Sequence, residues 1–394
     1  MEKIIEPEIE IEENEEGKID KDRENVVIPQ ELYFSPYTYI RKHYEEMYPC
    51  MGGKVFSILS LVPVSLIIPK IPRKNKEIKQ RINLLLLSNT GSAKSSLALE
   101  FEKITYNPVS SRKKTIARFF YDLKKIGDKP LSIIIEDIAV WLNDEEMIKL
   151  LEGILGEEEI LERDTMRNIK DKNKKIQAVA YLSGTPENIS DHKIRTGLLG
   201  RTCPLIVYHT QEEHEKILDF INDSMGKTDK LTDSEEIKAF YDVLYKIQNG
   251  ENNEIDPIVG YIIPDEIKEE IKGFIKHLVK DIFLKHGITF AREAEEVYRF
   301  LCSHAFLKIF SKNKKGLIKE NKLIIDQDDL NIAKSLIKRE IITKAIILEC
   351  IEQIDYWSIK TREQLRAWEL KRRGYGRKEL PKEAKFVMQS LVKN

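Results

Sequence analysis

One stretch constrains this chain more than any other: Ile82-Asn83-Leu84-Leu85-Leu86-Leu87, running directly into Ser88-Asn89-Thr90-Gly91-Ser92-Ala93-Lys94-Ser95. A run this apolar cannot alternate between core and solvent, so it reads as a strand buried on both faces, as in a parallel sheet. It stops abruptly in small polar residues. From Lys94 to Ile104 the pattern becomes helical, with Leu97, Leu99 and Phe101 available for packing. The same design recurs downstream. Leu131-Ser132-Ile133-Ile134-Ile135 ends in Glu136-Asp137, Ala178-Val179-Ala180-Tyr181-Leu182 ends in Ser183-Gly184-Thr185-Pro186, and Leu205-Ile206-Val207-Tyr208 forms a fourth run. Short buried strands separated by helical stretches predict an α/β fold with a parallel sheet. After about residue 210 the pattern predicts helices over 212–222, 233–248, 264–284, 291–310 and 327–353.

With 394 residues the chain is long for a single core, and its pattern divides it into five parts. These are an acidic, disordered tail (1–28), an N-terminal helical segment (29–70), an α/β core (71–220), a helical linker and lid (221–345) and a basic helical C-terminal segment (346–394). The net charge of -1 conceals the contrast between the two ends. Glu8, Glu10, Glu12, Glu13, Glu15 and Glu16 crowd the first, while Lys and Arg crowd the chain from Lys360 onward. Such asymmetry implies either separate partners for the two ends, a protein among them for the acidic head, or mutual screening of one end by the other. Cys50, Cys203, Cys302 and Cys350 are isolated in sequence, so neither a zinc site nor a disulfide framework is expected, and reduced thiols fit a cytoplasmic setting. The most apolar run, 55–71, is interrupted by Pro63 and Pro69 and reads as core rather than a membrane span.

A strand, a tight loop and a helix whose N-terminus faces the loop make a phosphate-binding device, because backbone N–H groups converge on an anion there. In the pattern GxxxxGK[ST] the lysine neutralises the β- and γ-phosphates and the hydroxyl ligates Mg²⁺. Here Lys94 and Ser95 take those places, with Asn89, Thr90, Gly91, Ser92, Ala93 and Ser96 around the phosphates. Ser88 and Ala93 stand where glycines are usual. Ala93 is expected to have a helical backbone, and Gly91 to supply any left-handed turn. ATP and Mg²⁺ are the ligands this reading implies. The bland alternative is a polar turn with a solvated lysine. Hydrolysis also needs carboxylates for the metal and the attacking water, at the end of a strand beside the loop strand. Glu136 and Asp137 are the candidates, against the bland reading of a solvated strand end.

Together these pieces resemble the motor domain of minichromosome maintenance (MCM) helicases, within the AAA+ ATPases, over roughly residues 75 to 340. That family's loop also carries Ala before Lys. The resemblance implies an AAA+ core with a helical lid, and it assigns further roles. Thr185 resembles the sensor at a strand end, Arg201 in Leu198-Leu199-Gly200-Arg201 the arginine finger, and Arg292 the second sensor, with Glu295, Arg299, His304 and Ala305 keeping that helix's spacing. Residues 325–330 resemble the closing helix of the lid. The order Glu136-Asp137 reverses the family's usual Asp-Glu, and the family's N-terminal DNA-binding region has no counterpart here.

An arginine finger serves the neighbouring subunit's nucleotide, so the resemblance implies self-association into a ring or filament. DNA is the expected partner on two further grounds. Arg163, Arg167, Lys170, Lys172, Lys174 and Lys175 lie where the family carries a DNA-touching hairpin, although Glu162, Asp164 and Asp171 make a solvated hairpin the rival reading. Residues 361–373 and 381–392 read as two basic helices, a helix-turn-helix or incomplete winged helix, or else a tail packed on the lid. The expectation is therefore an MCM-like helicase or loader that hydrolyses ATP. Its rivals are a protein-remodelling AAA+ chaperone and an assembly switch that binds ATP with little turnover.

Overall fold

In the computed structural model, residues 26–347 are described, apart from 74–75, 89–91, 112–115, 127–128, 143–144, 157–158, 161–173, 176, 186–196, 208, 210, 225–231 and 281–290. The acidic head and the basic C-terminal segment therefore lie outside the described residues.

The first ordered elements are helices: α1 (Gln30–Phe34), α2 (Pro36–Met47), α3 (Gly53–Leu59) and α4 (Val62–Ile67). Within the expected N-terminal helical segment the chain breaks at Ser35, because Pro36 lacks the N–H to continue α1 and suits the first turn of α2. Every residue of α4 is buried, as expected of a core segment. Ahead of the α/β core, β1 (Ile71–Arg73) and β2 (Lys76–Ile78) pair antiparallel.

The α/β core follows in the order β3 (Leu84–Ser88), α5 (Lys94–Ile104), β4 (Pro108–Ser110), α6 (Ile116–Ile126), β5 (Leu131–Ile135), α7 (Ala139–Leu142) and α8 (Glu145–Gly156). The antiparallel pair β6 (Glu159–Ile160) and β7 (Lys174–Lys175) comes next, then β8 (Ala178–Gly184), β9 (Cys203–Val207) and α9 (Gln211–Ser224). Five strands pair in the order β4-β5-β8-β3-β9, all parallel. Their side chains sort by parity, as a pleated strand requires. Leu84, Leu86, Val179, Tyr181, Cys203 and Leu205 join one cluster; Leu85, Leu87, Ala178, Ala180, Leu182 and Ile206 join the other. That is why the leucine run shows no alternation: both faces are covered.

Crossover handedness decides which helix covers which face. The connection from β3 runs to β4 in one direction, while those from β4, β5 and β8 run the opposite way. Right-handed crossovers put these on opposite faces. Accordingly Leu97, Ala98, Phe101 and Ile104 of α5 pack in the first cluster, and Phe119, Leu123, Leu151 and Ile154 of α6 and α8 in the second. The chain departs in opposite directions from the adjacent strands β3 and β8, so a crevice opens at their carboxyl ends, the place where ligands bind in open α/β sheets.

The remaining elements are α10 (Thr232–Gln248), β10 (Gly260–Ile262), α11 (Asp265–Lys280), α12 (Ala291–Leu307), α13 (Ile309–Lys314), β11 (Ile318–Lys319), β12 (Lys322–Ile324) and α14 (Gln327–Ile347). The expected helical unit thus contains a small sheet, β10-β12-β11. It has no core of its own: Phe240, Tyr241, Phe300, Leu301, Leu336 and Ile337 belong to the cluster that covers the first face of the sheet. α12 and α14 lie antiparallel, linked at one end by His304 Nδ1 and Asp329 Oδ1 (2.8 Å) and at the other by Lys344 Nζ and Glu293 Oε1 (3.6 Å). Lys312, only 1% exposed, reaches both Asp329 (2.6 Å) and Asp326 (2.9 Å). Hence the His304 and Asp326–Asp329 spacings noticed in the sequence hold the lid together. Among the described residues, no helix is long and apolar enough to cross a membrane.

Candidate functional site

The loop after β3 sits beside the crevice. Lys94 Nζ turns back into it, donating to Ser88 O (2.6 Å), Ser88 Oγ (3.0 Å) and Ser92 Oγ (3.3 Å), and the two serine hydroxyls bond each other. Ser88 and Ser92 are buried, while Ser95 and Ser96 are exposed on the first turn of α5. Asn89, Thr90 and Gly91 lie outside the described residues. The expected helical backbone at Ala93 is corrected by the structure. Its φ of 60° and ψ of 16° are left-handed, so the sharp entry into α5 is made where a glycine would be strain-free.

Three contacts fix α5 against its surroundings. The Tyr181 hydroxyl on β8 donates to Lys94 O (2.9 Å), and the Tyr48 hydroxyl donates to Ser96 O (3.0 Å). Farther along, the buried Glu100 carboxylate meets His43 Nε2 (3.3 Å), Lys103 Nζ (2.9 Å) and the Ser234 hydroxyl. Burial pushes its pKa up, but these partners outweigh burial and hold it at about 2.

The acidic pair stands one strand farther away than expected. β8 intervenes between β3 and β5, so Glu136-Asp137 is not on the neighbouring strand. Two strand spacings place it about 10 Å from the loop, room for a phosphate and a hydrated ion. Register sets their heights: Leu87 pairs Gly184 and Leu182 pairs Ile135, so Thr185 follows at the height of Ser88 and Glu136 about two residues lower. The half-buried Thr185 thus emerges between loop and acids. The turn is tied to β8 by Ser183 Oγ donating to Glu136 O (2.6 Å) and Ile138 N donating to Ser183 O (2.8 Å). The two acids differ. Asp137 is exposed and its Oδ1 accepts from Ala139 N (3.0 Å), starting α7, whereas Glu136 is half-buried.

Arg201 lies at the other end of the sheet, ahead of β9, whose first residue Cys203 pairs Leu84. Its guanidinium contacts Gly197 O (3.0 Å) and Glu152 Oε2 (3.8 Å), with Gly156 leaving room for it, since a Cβ there would fall 2.6 Å from Nε. Asn83 ties this segment inward: its amide donates to Arg201 O (2.9 Å) and its Oδ1 accepts from Ala180 N (3.1 Å). Arg292 is not brought to the loop either. It is exposed at the start of α12, beside the Glu293 that contacts Lys344. Lys344 pairs Glu340 (2.5 Å), which faces Cys203 at the amino end of β9. The lid arginine at the carboxyl edge is Arg339, which donates to Ile206 O (3.4 Å), one residue from the level of Ser88. Sequence spacing did not single out Arg339, because only the antiparallel docking of α14 brings it there.

No protein-family model matches the chain, and no curated protein matches it. The chemistry rests on the arrangement itself: a loop that leads from β3 into the N-terminus of α5, two carboxylates about two strand spacings, roughly 10 Å, away and a polar strand end between them. Among the described residues no cluster of three His, Cys, Asp or Glu could hold a metal. Mg²⁺ in particular keeps several waters and takes one or two carboxylates plus substrate phosphates. Ser95, Glu136 and Asp137 fit such a partial set.

Proposed function

We propose that the chain is an AAA+ ATPase, similar to the MCM motor, which binds ATP with Mg²⁺ and couples its hydrolysis to the remodelling of DNA. The observation that carries this reading is that the loop before Lys94, Thr185 and Glu136-Asp137 all follow the carboxyl ends of three neighbouring parallel strands, β3, β8 and β5.

In this reading the loop N–H groups and Lys94 hold the phosphates, and Ser95 meets the ion. Glu136 and Asp137 hold the ion's water shell and orient the attacking water, while Thr185 fixes the position of that water or of the terminal phosphate. Bound Mg²⁺ would neutralise charge on the phosphates. The Tyr181 and Ser183 contacts keep loop and acidic turn at fixed separation, which in-line attack demands. Arg201 is too far from its own loop to take part and serves a neighbouring copy. β6 and β7 pair antiparallel on either side of the basic segment expected to meet DNA, of which Arg163, Arg167, Lys170 and Lys172 lie outside the described residues.

Steady-state ATP turnover, with and without single- and double-stranded DNA, tests this, with Lys94→Ala as control. Turnover stimulated by DNA and abolished by Lys94→Ala is the expected result. Equal inactivity of both proteins would refute the motor. The Asp137 contact with Ala139 favours one second reading, a switch that binds ATP with little turnover. It predicts saturable, Lys94-dependent ATP binding with negligible hydrolysis.

A further inference from the structure

Three cations from three separate elements meet beside the corner between α2 and α3. Arg41 lies on α2, Lys54 in the first turn of α3 and Arg339 on α14. Lys54 Nζ donates to the Ser335 hydroxyl, which stands one turn ahead of Arg339 on the same face of α14. Arg41 passes the start of α3, where a Cβ on Gly53 would fall 4.0 Å from its Cδ. The Lys54 ammonium registers both neighbours: burial first, then the charges of Arg41 and Arg339, hold its pKa below the usual lysine range. Glu45 lies 3.1 Å from Arg41 Nε and offsets part of one of these charges. Like charges kept together in this way repel one another, and an anion between them relieves the repulsion.

The cluster also has a definite place relative to the loop. α14 runs from the carboxyl edge of the sheet towards its amino end, because Arg339 reaches Ile206 O (3.4 Å) while Glu340 and Lys344 face Cys203. At 1.5 Å per residue, Ser335 stands about 6 Å nearer the carboxyl edge than Arg339. The α2–α3 corner is tied to the first turn of α5 by the Tyr48 hydroxyl, which donates to Ser96 O (3.0 Å). β9 adjoins β3 on the side away from β8 and β5. In the nucleotide-binding reading the terminal phosphate points towards Glu136-Asp137. The sugar end then leaves the loop on the β9 side, where the three cations stand.

We propose that Arg41, Lys54 and Arg339 form an anion subsite for the phosphate joined to the sugar of the bound nucleotide. This inference rests on the nucleotide-binding reading above and adds to it the end of the ligand that the lid helix grips. Lys54 is exposed, so its ammonium can exchange a neutral hydroxyl for a phosphate oxygen, and bonds between two charged groups are the stronger kind. One phosphate would thereby join α14 to the N-terminal helices. ATP, ADP and AMP share that phosphate, so the subsite treats them alike, whereas a nucleoside lacks it.

The test is competition by ATP, ADP, AMP and adenosine against a fluorescent ATP analogue, with single-stranded DNA binding measured alongside. It compares the wild-type chain with Lys54→Ala, Lys54→Arg and Ser335→Ala, and uses Lys94→Ala as control. Lys54→Ala should weaken ATP, ADP and AMP alike, each about tenfold, the worth of one charge-assisted hydrogen bond, and leave adenosine unchanged. Lys54→Arg should restore most of that affinity. Ser335→Ala removes the tie but keeps the charge, so it should bind nucleotides as the wild-type chain does. An equal loss in Ser335→Ala and Lys54→Ala would make the contact a structural tie and overturn the subsite. A loss confined to ATP overturns it too, since it places Lys54 at the terminal phosphate. So does a loss confined to DNA, or unchanged nucleotide affinity in Lys54→Ala while Lys94→Ala is defective. If the wild-type chain binds no analogue, or Lys94→Ala binds it equally well, the nucleotide-binding reading itself falls, and the subsite with it.

Discussion

The sharpest consequence of the geometry concerns Arg201. Ser88 is level with Val207, and Arg201 precedes Val207 by six residues. At about 3.3 Å per residue Cys203 lies roughly 13 Å below the loop, and Arg201 lies beyond it in the turn before the strand. No arginine side chain spans that distance, so a catalytic Arg201 acts on another copy's nucleotide. The perturbation is a mixing experiment with two single variants, Lys94→Ala, which spoils the loop, and Arg201→Ala, which spoils the finger. Each alone should lose turnover about a hundredfold or more, as removal of a finger does elsewhere. Mixed one to one in a head-to-tail assembly, about a quarter of the interfaces pair an intact loop with an intact arginine. Turnover should therefore return to about a quarter of the wild-type value, measured by phosphate release after co-assembly. Activity that stays at the sum of the two parents refutes action in trans. Wild-type turnover in Arg201→Ala alone would reduce the residue to a tie between Glu152 and Gly197. That tie is partly exposed and worth at most about 1 kcal/mol, so the variant should fold normally.

Other outcomes follow from the packing. Ala93→Gly relieves a left-handed backbone and should raise unfolding free energy by about 0.5–1 kcal/mol in urea titrations; a loss would show that the loop does not require that conformation. Lys312→Met leaves the buried Asp329 without its ammonium and should cost about 3–5 kcal/mol in the same assay. Burial holds the Glu340 carboxyl well above the usual carboxylate range, with Glu296 and Glu293 adding to it against Lys344. Below that range both folded and unfolded chains carry the proton, and stability is intact. As the pH rises the unfolded chain releases it first, so stability falls. Glu340→Gln should match the wild-type chain near pH 4 and exceed it near pH 9, and equal slopes across that range would contradict the assignment.

The parts of this fold that were legible in the sequence are those written in runs of apolar side chains. β3, β5, β8 and β9 announce themselves because both their faces are buried. β4 does not, since Pro108-Val109-Ser110 offers one apolar residue at an edge, and the lid strands are two or three residues long. The same contrast holds at the site. The loop, the acidic pair and Thr185 stand out as strand ends, whereas the order that puts β8 between β3 and β5 depends on pairing across more than 90 residues and leaves no local trace. Tyr48, Asn83, Tyr181, Ser183 and Arg339 matter because of register and helix docking. The left-handed Ala93 and the bonds from Lys94 to Ser88 and Ser92 are likewise properties of the folded chain. Arg292 shows the converse risk: spacing along a helix singled it out, and the direction in which that helix lies took it away from the loop.

Asn83 has a wider consequence. It sits at the foot of β3, the strand that ends in the loop, and holds the backbone of Arg201 with one end of its amide and that of β8 with the other. In the proposed ATPase, the strand that would bear a copy's own nucleotide is thus tied at its far end to the segment that would face the next copy. In a ring of such chains, occupancy at one site and the aim of Arg201 at the next would share one stiff member about two nanometres long, so neighbouring sites would fire in relation to each other rather than independently.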